Sequence, residues 1–176
     1  MSLVKKVNLD NIHYAKKENI SNYITYFSLM YSNNFLFLKS PYIYIYESLN
    51  FTSIDSFFFI SFRGIVSNNN LYDFFNNIKE VEYKVKNDFV NKKFVSSLII
   101  VNNDIYNTRD YDRLKVYISN NLQIFFKNQL LSLDDIDIKE IFKKNNSIRC
   151  IISPVFIWFS EEQYGCKWEI IKCFLN

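Results

Sequence analysis

Short runs of aromatic and β-branched residues that alternate at every second position are the feature that most constrains how this chain can fold. In "YIYIYE", Tyr42, Tyr44 and Tyr46 fall on one face of an extended chain. The intervening Ile43 and Ile45 fall on the other face. Similar runs, separated by Asn, Ser or Pro, are "YITYFSLMY", "FLFLKS", "FFFISFRG", "KFVSSLIIV", "DRLKVYIS" and "LQIFFKN". We therefore predict many short strands, with an aliphatic core face and a face that carries a ladder of tyrosines.

Two segments follow the helical period instead. From Leu71 to Phe89, apolar residues recur at spacings of three and four, which predicts one long helix with a single apolar stripe. "SLDDIDIKEIFKK" predicts a short helix with Ser132 or Asp134 near its cap and lysines at its end. These two helices do not alternate regularly with single strands, so the pattern favours a small barrel over an α/β sheet.

The predicted fold is mainly β with two helices. We expect an OB-fold-like five-stranded barrel with extra strands, one long helix and one short helix. Residues 1–20 are polar and mixed in charge, and we predict that they form an N-terminal arm. Residues 21–176 are predicted to form a single OB-fold-like domain, because 176 residues suffice for one domain with a substantial core.

The closing hairpin holds both tryptophans and one of the two glycines. Gly165 is predicted to permit a bend or bulge where the last strand begins. Trp158 lies in a run that is apolar on both faces and is predicted to be core. Trp168 lies between Lys167 and Glu169, and we predict that it is nearer the surface.

The residue types on which most enzymes depend are scarce. With one His and two Gly, the sequence holds no credible Ser/His/Asp triad and no glycine-rich phosphate loop. Cys150, Cys166 and Cys173 have no zinc-ligand spacing and are predicted to be reduced thiols. No run approaches the roughly 18 apolar residues of a membrane helix, and the start does not resemble a signal peptide. We expect no catalytic residue, metal site, cofactor or membrane partner.

An acidic cluster leaves one enzymatic alternative open. Its members are Asp134, Asp135, Asp137 and Glu140. Such a cluster could bind magnesium, as in a nuclease. Acidic residues also stabilise the N-terminus of a helix, and we favour this second interpretation.

Cations interleaved with aromatic residues are the main functional signal. The formal net charge is only +3, so binding of a polyanion must depend on where the charges lie. Single-stranded nucleic acid suits such a surface, because cations meet its phosphates and aromatic rings stack on its bases. No basic helix suited to the major groove of a duplex is found. The candidate nucleic-acid-binding residues are Lys39, Tyr42, Tyr44, Tyr46, Arg63, Arg113, Lys115, Tyr117, Arg149, Lys167 and Trp168.

The closing segment "IRCIISPVFIWFSEEQYGCKWEIIKCFL" carries a family resemblance. Its motif is a strand ending in "IW", a polar turn, a glycine and a second strand with "W", here Ile157, Trp158, Gly165 and Trp168. "FLFLKSPYIYIYESLN" provides a second motif, an early strand pair around Pro41. In both motifs the chain resembles the single-stranded-DNA-binding proteins of large double-stranded DNA viruses, a group related to the replication protein of short-tailed coliphages. The order of long helix, strands, short acidic helix and final hairpin is also similar.

The resemblance extends in outline from Phe35 to Phe174 and implies an OB-fold barrel that coats single-stranded DNA and has no catalytic activity. It implies single-stranded DNA and replication proteins as partners, and Phe174 is a candidate for a contact within a homodimer. Two departures are visible. The early strand pair has "YESLN" where the family usually has a glycine, and "KCFLN" stands where phage members carry an acidic tail that recruits partners.

We therefore expect a sequence-independent single-stranded-DNA-binding protein that acts in DNA replication or recombination of a virus or virus-like element. The abundance of Phe, Tyr, Asn, Lys and Ile agrees with an AT-rich genome of that kind. The expected location is intracellular, in the host cytoplasm or at a site of viral replication, with the nucleus as an alternative. The second hypothesis is a viral structural or assembly protein that uses an aromatic β surface for protein–protein contacts.

Overall fold

Strands make up most of the chain that the computed structural model describes, which comprises residues 3–19, 25–52, 55–100, 112–132, 134 and 136–175. The strands within these ranges are β1 (Leu3–Val4), β2 (Ile12–Asn19), β3 (Thr25–Tyr31), β4 (Asn34–Phe35), β5 (Phe37–Lys39), β6 (Ile43–Phe51), β7 (Ser56–Ser61), β8 (Lys93–Phe94), β9 (Leu98–Ile99), β10 (Arg113–Phe126), β11 (Gln129–Leu130), β12 (Ser147–Phe159) and β13 (Gln163–Leu175). The α-helices in the same ranges are α1 (Asn69–Asp88) and α2 (Ile138–Ile141). The predicted class, mainly β with one long and one short helix, is confirmed.

Five strands pair with one another in a closed circuit, which we call the barrel. β6 pairs with β7, and β7 pairs with β10, both antiparallel. β10 pairs in parallel with β13, and β13 pairs antiparallel with β12. β12 returns to β6 and closes the barrel. If these five strands are numbered 1 to 5 in chain order, their order around the barrel is 1-2-3-5-4. Strand 4 then pairs with strand 1.

The inside of the barrel is aliphatic and aromatic. Ile43 and Ile45 are both fully buried, as the alternation in β6 predicted. Phe142, which follows α2, is also fully buried and packs on Phe58, with 4.6 Å between ring centroids. The short helix is thereby anchored to the core. The remaining strands extend the sheet around the barrel, with β3 and β5 pairing to β12, β8 to β13, and β9 and β11 to β10.

The long helix α1 packs its predicted apolar stripe on the core. Asn68 caps its start, accepting a 3.1 Å hydrogen bond from the Leu71 N–H. Phe75 meets Phe62 edge to face, with 4.9 Å between ring centroids. The opposite side of the helix exposes Tyr83. Among the described residues, no helix combines the length and the apolarity that crossing a membrane would require.

The segment predicted as an N-terminal arm is part of the sheet. β1 pairs in parallel with β5, and β2 pairs antiparallel with β3. Val7 and Ile12 are buried in the core. The buried Asn77 of α1 accepts a 2.9 Å hydrogen bond from the Val7 N–H and donates another to the Lys5 carbonyl oxygen. Residues 3–19 are thus not an irregular lead-in, because two apolar side chains and the helix tie them down.

One predicted pair of strands is a single element. "DRLKVYIS" and "LQIFFKN" form β10, whose first part pairs with β7 and whose second part pairs with β13. The register to β13 shifts between Ile118 and Gln123. Asn120 and Asn121, which read as a break in the sequence, are exposed at this irregularity. The long strand can therefore serve two sides of the barrel.

Gly165 lies within β13, opposite Trp158, and not at a bend. A Cβ atom at this position would lie 3.1 Å from the Trp158 ring and would crowd the Val95 carbonyl oxygen still more closely. The predicted bend or bulge is therefore wrong as the reason for this glycine. Close approach of another backbone is what requires it.

The two tryptophans have the reverse of their predicted exposure. Trp168 is fully buried, and its indole N–H donates a 3.1 Å hydrogen bond to Oε1 of Glu82 in α1. Trp158 is half-buried. The polar neighbours Lys167 and Glu169 misled the prediction, because successive residues of a strand point to opposite faces.

Candidate nucleic-acid interface

The register between β7 and β10 brings the predicted cations together with aromatic rings on the outside of the barrel. In this register, Arg113 lies opposite Ser61, Lys115 opposite Phe59 and Tyr117 opposite Phe57. The residues between them, such as Leu114 and Phe58, point into the core. We call the outer surface formed by Tyr44, Tyr46, Phe57, Phe59, Arg113, Lys115 and Tyr117 the aromatic face.

Arg113 lies between two rings of the aromatic face. Its Cζ is 4.7 Å from the centroid of Tyr46 and 5.7 Å from that of Phe59. Its Nε is buried and has no hydrogen-bond partner, and among the described residues its guanidinium forms no ion pair with a carboxylate. A desolvated cation over a ring gains about 2 kcal/mol, but the ring does not neutralise its charge. The guanidinium remains available to an anion.

Lys115 repeats this arrangement along the same strand. Its Nζ is 3.9 Å from the centroid of Phe57 and 5.0 Å from that of Tyr117. Phe57 in turn meets Phe59 edge to face at 6.0 Å. The sequence prediction placed these two phenylalanines on a strand but did not include them in the site. Their alternation with buried Phe58 was a usable signal, but only the pairing with β10 shows which cations they accompany.

The tyrosine ladder spreads over two neighbourhoods, since Tyr42 precedes β6 whereas Tyr44 and Tyr46 lie within it. Tyr44 is 48% exposed, and the half-buried Tyr46 receives Arg113 on its ring. Tyr42 is 43% exposed and lies instead near Arg149. These positions agree with the prediction that the three tyrosines point outward. The ring of Tyr46 is the most covered of the three.

A second group of cations and rings surrounds Arg149 on β12, and we call Tyr42, Phe125, Arg149, Lys172 and Phe174 the Arg149 cluster. The Arg149 Cζ is 5.5 Å from the ring centroids of both Tyr42 and Phe174. Phe174 stacks on Phe125 with 5.4 Å between centroids, and the Lys172 Nζ is 5.5 Å from the Phe125 ring. Within the described part of the chain, the Arg149 Nε is buried without a hydrogen-bond partner, like that of Arg113. Rings thus hold a second guanidinium that has no carboxylate partner among the described residues.

Two further candidate cations lie at the margins of these groups. Lys39 is exposed at the end of β5 and, with Arg149, lines a groove of about 570 Å³. Arg63 is exposed in the turn after β7, where its backbone N–H donates a 3.1 Å hydrogen bond to the Ser61 hydroxyl. Lys39 therefore lies beside the Arg149 cluster, whereas Arg63 lies beyond the end of the strand that carries Phe57.

Lys167 is already paired with acidic groups. Its Nζ lies 2.8 Å from Asp55 Oδ1 and 3.7 Å from Glu169 Oε1. Burial lowers the pKa of Lys167, but the hydrogen bond that its ammonium donates to Asp55 and the charges of Asp55 and Glu169 raise it by more, so the net shift is upward. Its charge is largely compensated, which makes it a weaker phosphate ligand than Arg113.

Trp168 must be removed from the candidate stacking residues. Its ring is fully buried beneath α1 and cannot meet a base. The prediction failed because it assigned the Trp168 side chain to the exposed face of β13, whereas this side chain lies on the buried face. The other predicted residues all keep at least part of their side chains exposed.

The acidic segment forms a helix cap. Asp137, rather than Ser132 or Asp134, caps α2 by accepting a 2.9 Å hydrogen bond from the Lys139 N–H. Glu140 lies 3.3 Å from the Lys143 ammonium. Asp135 lies outside the described residues, and the parts of the chain that are described bring no three His, Cys, Asp or Glu residues together in a group that could hold a metal ion.

The three cysteines are buried free thiols. Burial raises the pKa of Cys150 to about 12 and also raises the pKa values of Cys166 and Cys173. All three therefore remain protonated at neutral pH, a state in which a thiol is a poor nucleophile.

No protein-family model matches this chain, and no curated protein matches its sequence significantly. The functional assignment therefore depends on the geometry of the aromatic face and the Arg149 cluster.

Proposed function

We propose that this protein binds single-stranded DNA independently of sequence, through the aromatic face and the Arg149 cluster, in the replication or recombination of a virus or virus-like element. The observation that carries this proposal is Arg113, a partly buried guanidinium that lies between the rings of Tyr46 and Phe59 and has no carboxylate partner among the described residues. In the proposal, the protein has no catalytic activity. Replication proteins and a second copy of the chain are its expected protein partners inside the cell.

The pairing order of the barrel supports this proposal. We infer an OB-fold, a five-stranded Greek-key barrel that binds oligonucleotides across its second and third strands. In the barrel of this chain, the second and third strands are β7 and β10. These strands carry Phe57, Phe59, Arg113 and Lys115, so the aromatic face coincides with the surface that an OB-fold uses.

The chemistry of the two surfaces suits a flexible single strand. A base that stacks on a ring contributes about 1 to 3 kcal/mol, and any base can do so. Each phosphate that meets a cation releases counterions, which gives a slope of about −0.7 per contact in a plot of log affinity against log salt. Contacts from Arg113, Lys115 and Arg149 would together contribute a slope of about −2.

Fluorescence anisotropy with a labelled oligo(dT) and a duplex of the same length tests the proposal. We expect tight binding of the single strand at low salt, progressive loss of affinity as salt rises, and weaker binding of the duplex. Equal affinity for the two forms, or no binding of either, would contradict the proposal.

The second candidate is a viral structural or assembly protein that covers the same rings with another protein. Exposed apolar residues that belong to neither surface, such as Val66 at 97% exposure and Leu130 at 60%, favour this alternative. It predicts that the protein shows no affinity for oligonucleotides, so the same anisotropy experiment separates the two candidates.

A further inference from the structure

A groove of about 410 Å³ adjoins the aromatic face. The residues that line it include the aromatic Phe35 and Phe156 and the polar Ser153 and Glu169. The volume falls within the range of about 300 to 1,000 Å³ that small-molecule sites usually have, so a single nucleobase has ample room. Aromatic rings and hydrogen-bonding groups are the two elements with which proteins recognise an unstacked base.

Lys167 joins this groove to the aromatic face. Its Nζ lies 4.8 Å from the ring centroid of Tyr117, which is the end of that face, and its side chain also lines the groove. A single strand of DNA whose bases stack on Phe57 and Tyr117 would therefore pass next to the groove.

The charge of the groove disfavours a phosphate. Asp55 and Glu169 carry two negative charges against the single positive charge of Lys167. A net negative site attracts hydrogen-bond donors and repels anions. Glu169 accepts from Ser119 and Lys167, but a carboxylate has about four lone-pair sites and can accept further bonds.

Ser153 provides a second, independent sign of a ligand. It is 1% exposed and lines the groove, and its Oγ has no hydrogen-bond partner among the residues that the structure describes. Buried hydroxyl groups almost always have a partner, because leaving one unpaired costs stability. A polar ligand in the groove would supply the missing bond.

We infer that the groove binds one base of the single strand and prefers a base with an exocyclic amino group, guanine above all. This inference rests on the proposed function. Guanine presents N1–H and the N2 amino group side by side, so it can donate two bonds to the Glu169 carboxylate. Thymine offers a single N–H between two carbonyl oxygens, which a carboxylate repels. The proposed protein is thus indifferent to sequence along the aromatic face but selective at one position.

Alternating thymine–guanine and thymine–inosine oligonucleotides of equal length test the inference, because inosine is guanine without the amino group. We expect the guanine strand to bind more tightly, by on the order of fivefold or more, as expected for loss of one bond of a bidentate pair. Glu169→Gln should bring the ratio of the two dissociation constants close to one. Ser153→Ala should also lower this ratio, and it removes a hydroxyl that makes no hydrogen bond with any described residue, so the fold should persist.

Each other outcome has a distinct meaning. If the wild-type protein binds both strands equally and with a salt dependence, the base pocket is wrong while the proposed function stands. If it binds neither strand, the proposed function fails, and the pocket fails with it. If Glu169→Gln and Ser153→Ala leave the ratio unchanged, the groove does not read the base.

Discussion

The guanidinium of Arg113 lies over the ring of Tyr46, with Cζ 4.7 Å from the ring centroid. The two residues come from β10 and β6, which flank β7 on the outside of the barrel. The same type of contact recurs where Arg149 lies over Tyr42. In both places the ring restricts the position of the cation while leaving its hydrogen-bonding edge without an acidic partner among the described residues. In the proposed function, each of these cations meets a phosphate of the bound strand.

Arg113→Gln should weaken binding of oligo(dT) and reduce the slope of log affinity against log salt by about 0.7 to 1, because one phosphate contact is lost. The matched control is Lys79→Gln, which removes one charge from the exposed side of α1. We expect the control to keep the wild-type slope. Equal slopes for both variants, measured by anisotropy on folded protein, would remove Arg113 from the interface.

Tyr44→Ala should weaken binding by about 1 to 3 kcal/mol without changing the salt slope, because a stacking ring is lost and no charge changes. Tyr44 is 48% exposed, so the substitution should leave the fold intact. Tyr83→Ala removes a ring of similar exposure from α1 and should bind like the wild type. If both variants bind equally well, Tyr44 is not a stacking residue.

Trp168→Phe should lower the free energy of unfolding by about 1 to 3 kcal/mol, because Glu82 loses a buried hydrogen-bond donor. The affinity of the folded variant for oligo(dT) should not change. Trp158→Phe, at a half-buried position, should cost less stability. Denaturant unfolding gives both values. A loss of affinity in Trp168→Phe at unchanged stability would show that this ring contacts DNA after all.

Glu82 should make stability fall as pH rises. Burial raises the pKa of this carboxyl, although hydrogen bonds from Ser96, Trp168 and the Leu98 and Ser97 N–H groups lower it in part. Since the pKa in the folded state lies above its ordinary 4.5, the unfolded chain releases the proton first. The stability contribution is complete below pH 4.5 and is lost as pH rises through the folded pKa.

Glu82→Gln lacks this titration, and comparison with the wild type cancels the other acids. The stability of the variant minus that of the wild type should increase from pH 4.5 upward and then level off, by about 1.4 kcal/mol for each unit by which the pKa is raised. Chemical denaturation across this range measures the difference. A difference that does not vary with pH would contradict the raised pKa.

The regular spacing of apolar residues in the sequence predicted which side chains of β6 and α1 face the core. Ile43 and Ile45 are buried while Tyr44 points outward, because a strand with one covered face must alternate. The apolar stripe of α1 follows for the same reason at the helical period. These features require only that a core exists somewhere, and a single sequence is enough to infer them.

The pairing of strands that lie far apart in the sequence could not be predicted from this spacing. Phe57 and Lys115 meet because β7 pairs with β10, and the whole of α1 lies between these strands in the chain. Trp168 is buried because α1 supplies Glu82 above it, which its own polar neighbours do not reveal. Which face of a strand is covered depends on the element that packs there, so the candidate site was predicted only in part.

Photo-crosslinking tests the central claim most directly. An oligo(dT) in which one thymine is replaced by 5-iodouracil reacts on irradiation with aromatic rings that touch the base, and mass spectrometry locates the adducts. The account predicts adducts on Tyr44, Phe57, Phe59 or Tyr117. Adducts confined to Tyr72 and Tyr83, which are exposed on α1, or no adducts with a strand that is bound, would contradict it.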